Sequence, residues 1–199
     1  MIQFSVPFYL ASKSPRRKKL LKQIGINFKS ITVDLHEEIL DGEHPIKTVK
    51  RLALHKMNAA EQKIKMEHPA QREGIILTAD TIVVLEGQII GKPKSKKDAE
   101  RILKLLSGKT HFVYTGFAIK NISNKKEIID YEKTSVTFHK LSSQMIIDYI
   151  ETGSPMDKAG AYGIQDDFGA VFVKKVNGCY YNVMGLPLSK VYNSILSIL

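Results

Sequence analysis

The chain has 199 residues, 43% apolar and 25% charged, so it is long enough to bury a core and too apolar for a disordered segment. Lys and Arg number 30 against 20 Asp and Glu, and this net +10 draws phosphate-bearing partners: nucleic acid, anionic membrane or nucleotides. A single cysteine, Cys179, excludes an intrachain disulfide, a thiolate metal cluster and a CxxC redox pair, and fits a reducing, cytoplasmic compartment.

Neither a secretory leader nor a membrane span is expected. The opening FSVPFYLA has no basic region before it, and its cations (Lys13, Arg16, Arg17, Lys18, Lys19) follow it. No apolar run approaches the roughly 18 residues a membrane helix requires.

In chain order, Phe8 to Ala11 reads as a short strand, and Ser14 as the N-cap of a helix with Pro15 at its first position. Leu20, Leu21 and Ile24 form the buried face of that helix, and Gly25 closes it. Ile26 to Val33 reads as a strand, followed by a carboxylate-rich loop with Glu37, Glu38, Asp41 and Glu43. Pro45 opens a second helix, whose stripe of Ile46, Val49, Leu52, Ala53, Met57, Ala60 and Ile64 also contains Lys56.

Ile75 to Ala79 reads as a buried strand with Asp80 at its end, and Thr81 to Leu85 pairs with Gln88 to Ile90 across Glu86-Gly87. Ser95 followed by Asp98 resembles a capping box, with Asp where Glu is usual, ahead of a helix bearing Ala99, Ile102, Leu103, Leu105 and Leu106. Phe112 to Ile119 and Ile128 to Phe138 predict a long hairpin, and Ser142 or Ser143 caps a helix ended by Gly153. Asn177-Gly178 predicts a further hairpin, and Pro187 starts a terminal helix. The mixture implies one compact α/β unit over residues 1–199.

Chemistry concentrates at few positions. The Ser-Lys-Ser-Pro turn brings a positive helix end, Lys13, Arg16 and Arg17 to one point, which suits a polyphosphate. Cations in a first turn oppose the helix dipole by about 0.3–1 kcal/mol each, and a bound phosphate reverses that sign. A solvated basic helix face is the bland alternative.

Lys56 either snorkels along its helix to water or reaches a phosphate. Asp80 either caps a turn or points into a cleft at the edge of the sheet. Glu37 and Asp80 are hard oxygen ligands suited to Mg²⁺ or Mn²⁺. Gly108-Lys109-Thr110 lacks the upstream glycine of a P-loop, the six histidines show no HExxH spacing, and no GxSxG elbow is present.

The strings LASKSPRRKKLL, RLALHKMNAA, TADTIVVLEGQIIGKP, LSGKTH, DKAGAYGIQ and NVMGLPL occur in this order. Together they closely resemble the Maf family of nucleotide pyrophosphatases. The resemblance implies an elongated mixed-sheet fold with a central cleft between two lobes, often a homodimer, that cleaves nucleoside triphosphates between the α and β phosphates with a divalent metal. By position, Asp80 matches the proton acceptor. Arg16, Thr81 and Gln165 match places linked to substrate choice, Lys56 and Lys92 match phosphate-binding lysines, Ser12 is a cleft position, and Glu37 matches a metal ligand.

DKAGAYGIQ resembles the branch acting on dTTP and UTP, where Thr81 and Gln165 would hydrogen-bond a pyrimidine edge. Asp166 and Asp167 stand where the family has Gly after the glutamine, which adds negative charge beside the site. The roles of Asp80 as base and as metal ligand stay open, because a carboxyl with an ordinary pKa near ~3.9 is a weak base at neutral pH. Two rival readings follow from the charge and from the family. One is a nucleic-acid-binding module, for which no RNP motif, zinc finger or helix-turn-helix is present, and the other is an interaction protein of cell division (septum).

Overall fold

The computed structural model describes residues 4–35, 38–71, 73–165 and 168–199. Glu37, Asp166 and Asp167, which the sequence reading singled out, lie outside the described residues. The chain is of mixed α/β class and forms two compact units. One comprises Met1–Asp80, Thr115–Glu132 and Gly185–Leu199, the other Thr81–Tyr114 and Lys133–Met184.

The strands are β1 (Phe8–Ala11), β2 (Lys29–Ile31), β3 (Ile75–Leu85), β4 (Gln88–Ile90), β5 (Thr110–Asn121), β6 (Glu127–Phe138) and β7 (Val173–Asn177). They follow the order β2-β1-β3-β5-β6-β7, with β4 on β3. Pairing is parallel for β1 with β2 and β3, and antiparallel for β3 with β4 and β6 with β7. The helices are α1 (Pro15–Gln23), α2 (Pro45–Glu67), α3 (Lys96–Leu106), α4 (Ser143–Glu151), α5 (Tyr180–Val183) and α6 (Leu188–Ile198).

In the first unit, strand β1 is buried along its whole length and pairs from Phe8↔Ile75 to Ala11↔Thr78. Tyr9 and Ala11 on β1, with Ile76 on β3, pack against Ala53, Met57, Ala60 and Ile64 of α2. The side-chain period of two in β3 then places Thr78 and Asp80 on the face of Ile76. Thr78 Oγ1 donates to Ala53 O of α2 at 2.7 Å. Helix and sheet come this close because position 116 on β5 is glycine. A Cβ there would lie 2.3 Å from Val49 O.

Local signals placed the helix starts. Ser14, His44, Ser95 and Ser142 are the N-caps of α1 to α4, and Pro15 and Pro45 occupy first-turn positions. The structure differs from the sequence reading at three elements. The strand expected over residues 26–33 is only Lys29–Ile31. Strand β3 does not end before Asp80 but runs through it to Leu85. The hairpin expected at Asn177-Gly178 is absent, and β7 leads instead into α5. There the buried Asn182 donates to Val113 O at 3.0 Å and to Thr134 Oγ1 at 2.9 Å, while Thr134 Oγ1 donates to Cys179 O. These side-chain bonds hold the chain as a helical turn, so no second strand forms.

Candidate active site

Two polar constellations stand at the end of the parallel pair in the first unit. One residue beyond Ala11, Ser12 leaves the strand and is buried. Its Oγ accepts from Ser14 N at 3.2 Å and from Arg17 Nη1 at 3.4 Å. Arg17 is also buried, with Nε donating to Gly185 O at 2.7 Å. A guanidinium held between a hydroxyl and a carbonyl is an anchored cation, not a solvated helix face. Arg16 is half-buried, and the first turn of α1 contains no acidic residue to offset either charge. Lys13 turns outward and pairs with Asp34 at 2.5 Å, with side-chain exposures of 64% and 83%. The Lys13 hydrogen bond holds the Asp34 carboxyl below its ordinary range.

The second constellation is Lys56 with Asp80. The Lys56 Nζ donates to Asp80 Oδ1 at 2.5 Å, and the two side chains are only 13% and 9% exposed. Lys56 sits one turn beyond Ala53 on α2, and Asp80 two residues beyond Thr78 on β3. The pair thus continues the Thr78–Ala53 contact along the same face. Charge-assisted geometry of this kind offsets the cost of removing both groups from water. The lysine neither snorkels outward nor stands unpaired, and the aspartate caps no turn.

Asp80 is a carboxylate acceptor. Among the described residues, only Lys56 hydrogen-bonds its side chain. An oxygen-only donor of this kind suits Mg²⁺ or Mn²⁺, which take one or two carboxylates and fill the remainder of their shell with water and phosphate oxygens. Among the described residues, no group of three His, Cys, Asp or Glu side chains gathers as a closed metal cage.

Thr81 follows Asp80 in β3 and is half-buried. Lys92 and Gln165 belong to the second unit, where Lys92 is exposed and Gln165 half-buried. Their segments are joined by Gly160 N donating to Gly91 O at 3.1 Å. Lys158, in the same DKAGAYGIQ stretch, is bound to Ser154 and Asp157, so it braces the turn.

Sequence reasoning missed two partners. The Gly185 carbonyl that holds Arg17 carries no side-chain signal at all. Arg51 grips the Glu43 carboxylate in a fork, at 3.0 Å from Nε and 2.6 Å from Nη2, and reaches Glu38 O at 2.9 Å. The Arg51 hydrogen bond holds the Glu43 carboxyl below its usual range. Part of the acidic loop is therefore tied to α2. The Glu–Arg separation of eight residues across the helix start gives no regular spacing that would have revealed it.

A mixed α/β chain with an anchored arginine at a helix start and a buried Lys–Asp pair at a strand has the makings of a phosphate-handling protein. The family profile described as Maf-like protein matches residues 7–198, and the chain belongs to that family. It is 46% identical over 186 residues to the dTTP/UTP pyrophosphatase of Syntrophomonas wolfei, covering 94% of each chain. It is likewise 46% identical to the dTTP/UTP pyrophosphatase of Clostridium tetani, covering 93% of this chain and 94% of that one. With the enzyme of the same name from Dictyoglomus thermophilum it shares 45%, over 94% and 93%.

Proposed function

We infer that the chain is a hydrolase that cleaves dTTP and UTP to the nucleoside monophosphate and pyrophosphate, a house-cleaning reaction of the nucleotide pool. The relatives named for that activity, similar over nearly the whole chain, support the reaction. The observation that carries the site is the buried Lys56–Asp80 pair on the face shared by α2 and β3.

In this reading, the Asp80 carboxylate accepts a hydrogen bond from the attacking water and takes its proton as the new oxygen–phosphorus bond forms at the α phosphorus. The bond from that phosphorus to the bridging oxygen breaks, and pyrophosphate carries the electron pair away. Lys56 holds Asp80 in position. Arg16, Arg17, Lys92 and the helix start beside Ser12 neutralise phosphate charge. In the alternative role left open above, Asp80 with Glu37 would instead hold a divalent cation, which would supply Lewis-acid neutralisation of the phosphate oxygens. Thr81 and Gln165 read the edge of the pyrimidine. A cytoplasmic location and a homodimer belong to the same reading through the family likeness, and sedimentation velocity tests the dimer.

The reaction is tested by pyrophosphate release from a panel of canonical and modified nucleoside triphosphates with Mg²⁺ or Mn²⁺. Asp80-dependent preference for dTTP and UTP supports the reading. Preference for another base overturns the specificity, and no turnover of any nucleotide overturns the activity.

A further inference from the structure

The second unit contains a buried polar system that the reaction above does not use. His111 on β5 is fully buried, and its Nε2 lies 2.8 Å from the Tyr162 hydroxyl. The other ring nitrogen, Nδ1, is buried with no hydrogen-bond partner among the described residues. Phe138 meets both rings edge-on, at 4.9 Å from His111 and 4.7 Å from Tyr162. Leaving a buried nitrogen unsatisfied is costly, so the contact between Nε2 and the Tyr162 hydroxyl is the polar contact that holds this ring.

Two other hydroxyls reach the backbone that follows Tyr162. The Tyr149 hydroxyl accepts from Gly163 N at 3.0 Å, and the Tyr180 hydroxyl donates to Ile164 O at 3.4 Å. The fit is close on the far side too, since a Cβ at residue 169 would stand 2.7 Å from Gly163 O and 3.0 Å from Tyr149 Oη. Residue 162 is thus held through its side chain and residues 163 and 164 through their backbone, and residue 165 follows directly.

We propose that Tyr149, Tyr162 with His111, and Tyr180 are positioning residues that fix the backbone leading into Gln165 and thereby set base discrimination. The proposal rests on the reading in which Gln165 contacts the pyrimidine. A hydrogen-bonding site discriminates only while its donor and acceptor stay in register with the base, and a small displacement forfeits that register. The hydroxyls touch no substrate in this scheme, so their loss acts through Gln165 alone.

The test compares Tyr149→Phe, Tyr162→Phe and Tyr180→Phe, alone and combined with Gln165→Ala, using kcat and KM for dTTP and dCTP alongside melting temperature. Each change removes one oxygen and keeps the ring, and the half-exposed Tyr180 supplies a variant that folds even where the buried ones do not. In the Tyr149 and Tyr162 variants, KM for dTTP rises about tenfold with a much smaller change in kcat. The dTTP to dCTP ratio of kcat/KM falls, and in the Gln165→Ala background the same changes move the ratio no further. An unchanged ratio in all three tyrosine variants, while Gln165→Ala collapses it, overturns the proposal and leaves the Gln165 reading standing. A lower melting temperature with the ratio intact also overturns it. An intact ratio in Gln165→Ala overturns that reading and the proposal together.

Discussion

Lys56 and Asp80 bury a charged pair against α2 in the first unit, whereas His111 and Tyr162 bury a neutral pair among aromatic rings in the second. The charged pair is short and keeps some contact with solvent, as a group that must meet a charged substrate requires. In the neutral pair, burial pushes the His111 imidazole down to about 4 and, with Tyr149 adding to it, pushes the Tyr162 phenol well up. Neither partner ionises at neutral pH, so the pair is fixed in one state. The contrast teaches that burial alone does not identify a reactive group. Proximity to groups of opposite charge at a strand that leads to the candidate site distinguishes the first pair.

The largest effect expected on this contrast is Asp80→Asn, which lowers kcat for dTTP by about 10²–10⁴-fold in steady-state pyrophosphate release, with the circular dichroism spectrum retained. Lys56→Met comes next. It leaves a buried carboxylate unpaired and lowers the unfolding free energy in urea by roughly 3 kcal/mol, much of which returns when Asp80→Asn is added.

The neutral pair responds to pH instead. His111 has a folded-state pKa depressed below the unfolded value, so its contribution is fully present above pH 6.5 and lost as pH falls towards 4. The loss amounts to roughly 3 kcal/mol, and the fall in unfolding free energy from pH 7 to pH 4 should be smaller by about that amount in His111→Gln. The smallest effect is expected at Asp34→Asn. Its pair with Lys13 is open to solvent, and the urea midpoint should stay within measurement error.

Legibility in the sequence followed the range of the interactions. Ser14, Pro15, Pro45 and Ser95 declared helix starts because a cap bonds within three residues of itself. The turn at Glu86-Gly87 was legible for the same reason. In the sequence Asp80 reads as a strand end because a carboxylate interrupts an apolar run. What keeps it inside the strand is Lys56, 24 residues earlier on another element. The Arg17–Gly185 contact, across 168 residues and involving a backbone carbonyl, left no pattern to find. Asn177-Gly178 carried a strong hairpin signal, but Asn182 and Thr134 claimed the following residues for a helical turn. Arg16, Arg17, Glu37, Lys56 and Asp80 stand out by residue type and position, whereas Ser12, Thr81, Lys92 and Gln165 are visible only through motif resemblance, since separation along a chain gives no distance between side chains.

The first unit is assembled from three separate stretches, the last of them Gly185–Leu199, while both stretches of the second lie earlier than that closing piece. During synthesis the second unit is therefore complete in the nascent chain before the first has all its parts. Until the closing stretch is made, Arg17 lacks the Gly185 carbonyl, and Asn121 and Asn124 lack their shared acceptor, Ile198 O. The anchored cation at the start of α1 is thus among the last features to mature, and a ribosome-bound chain arrested before Gly185 holds that arginine without this partner.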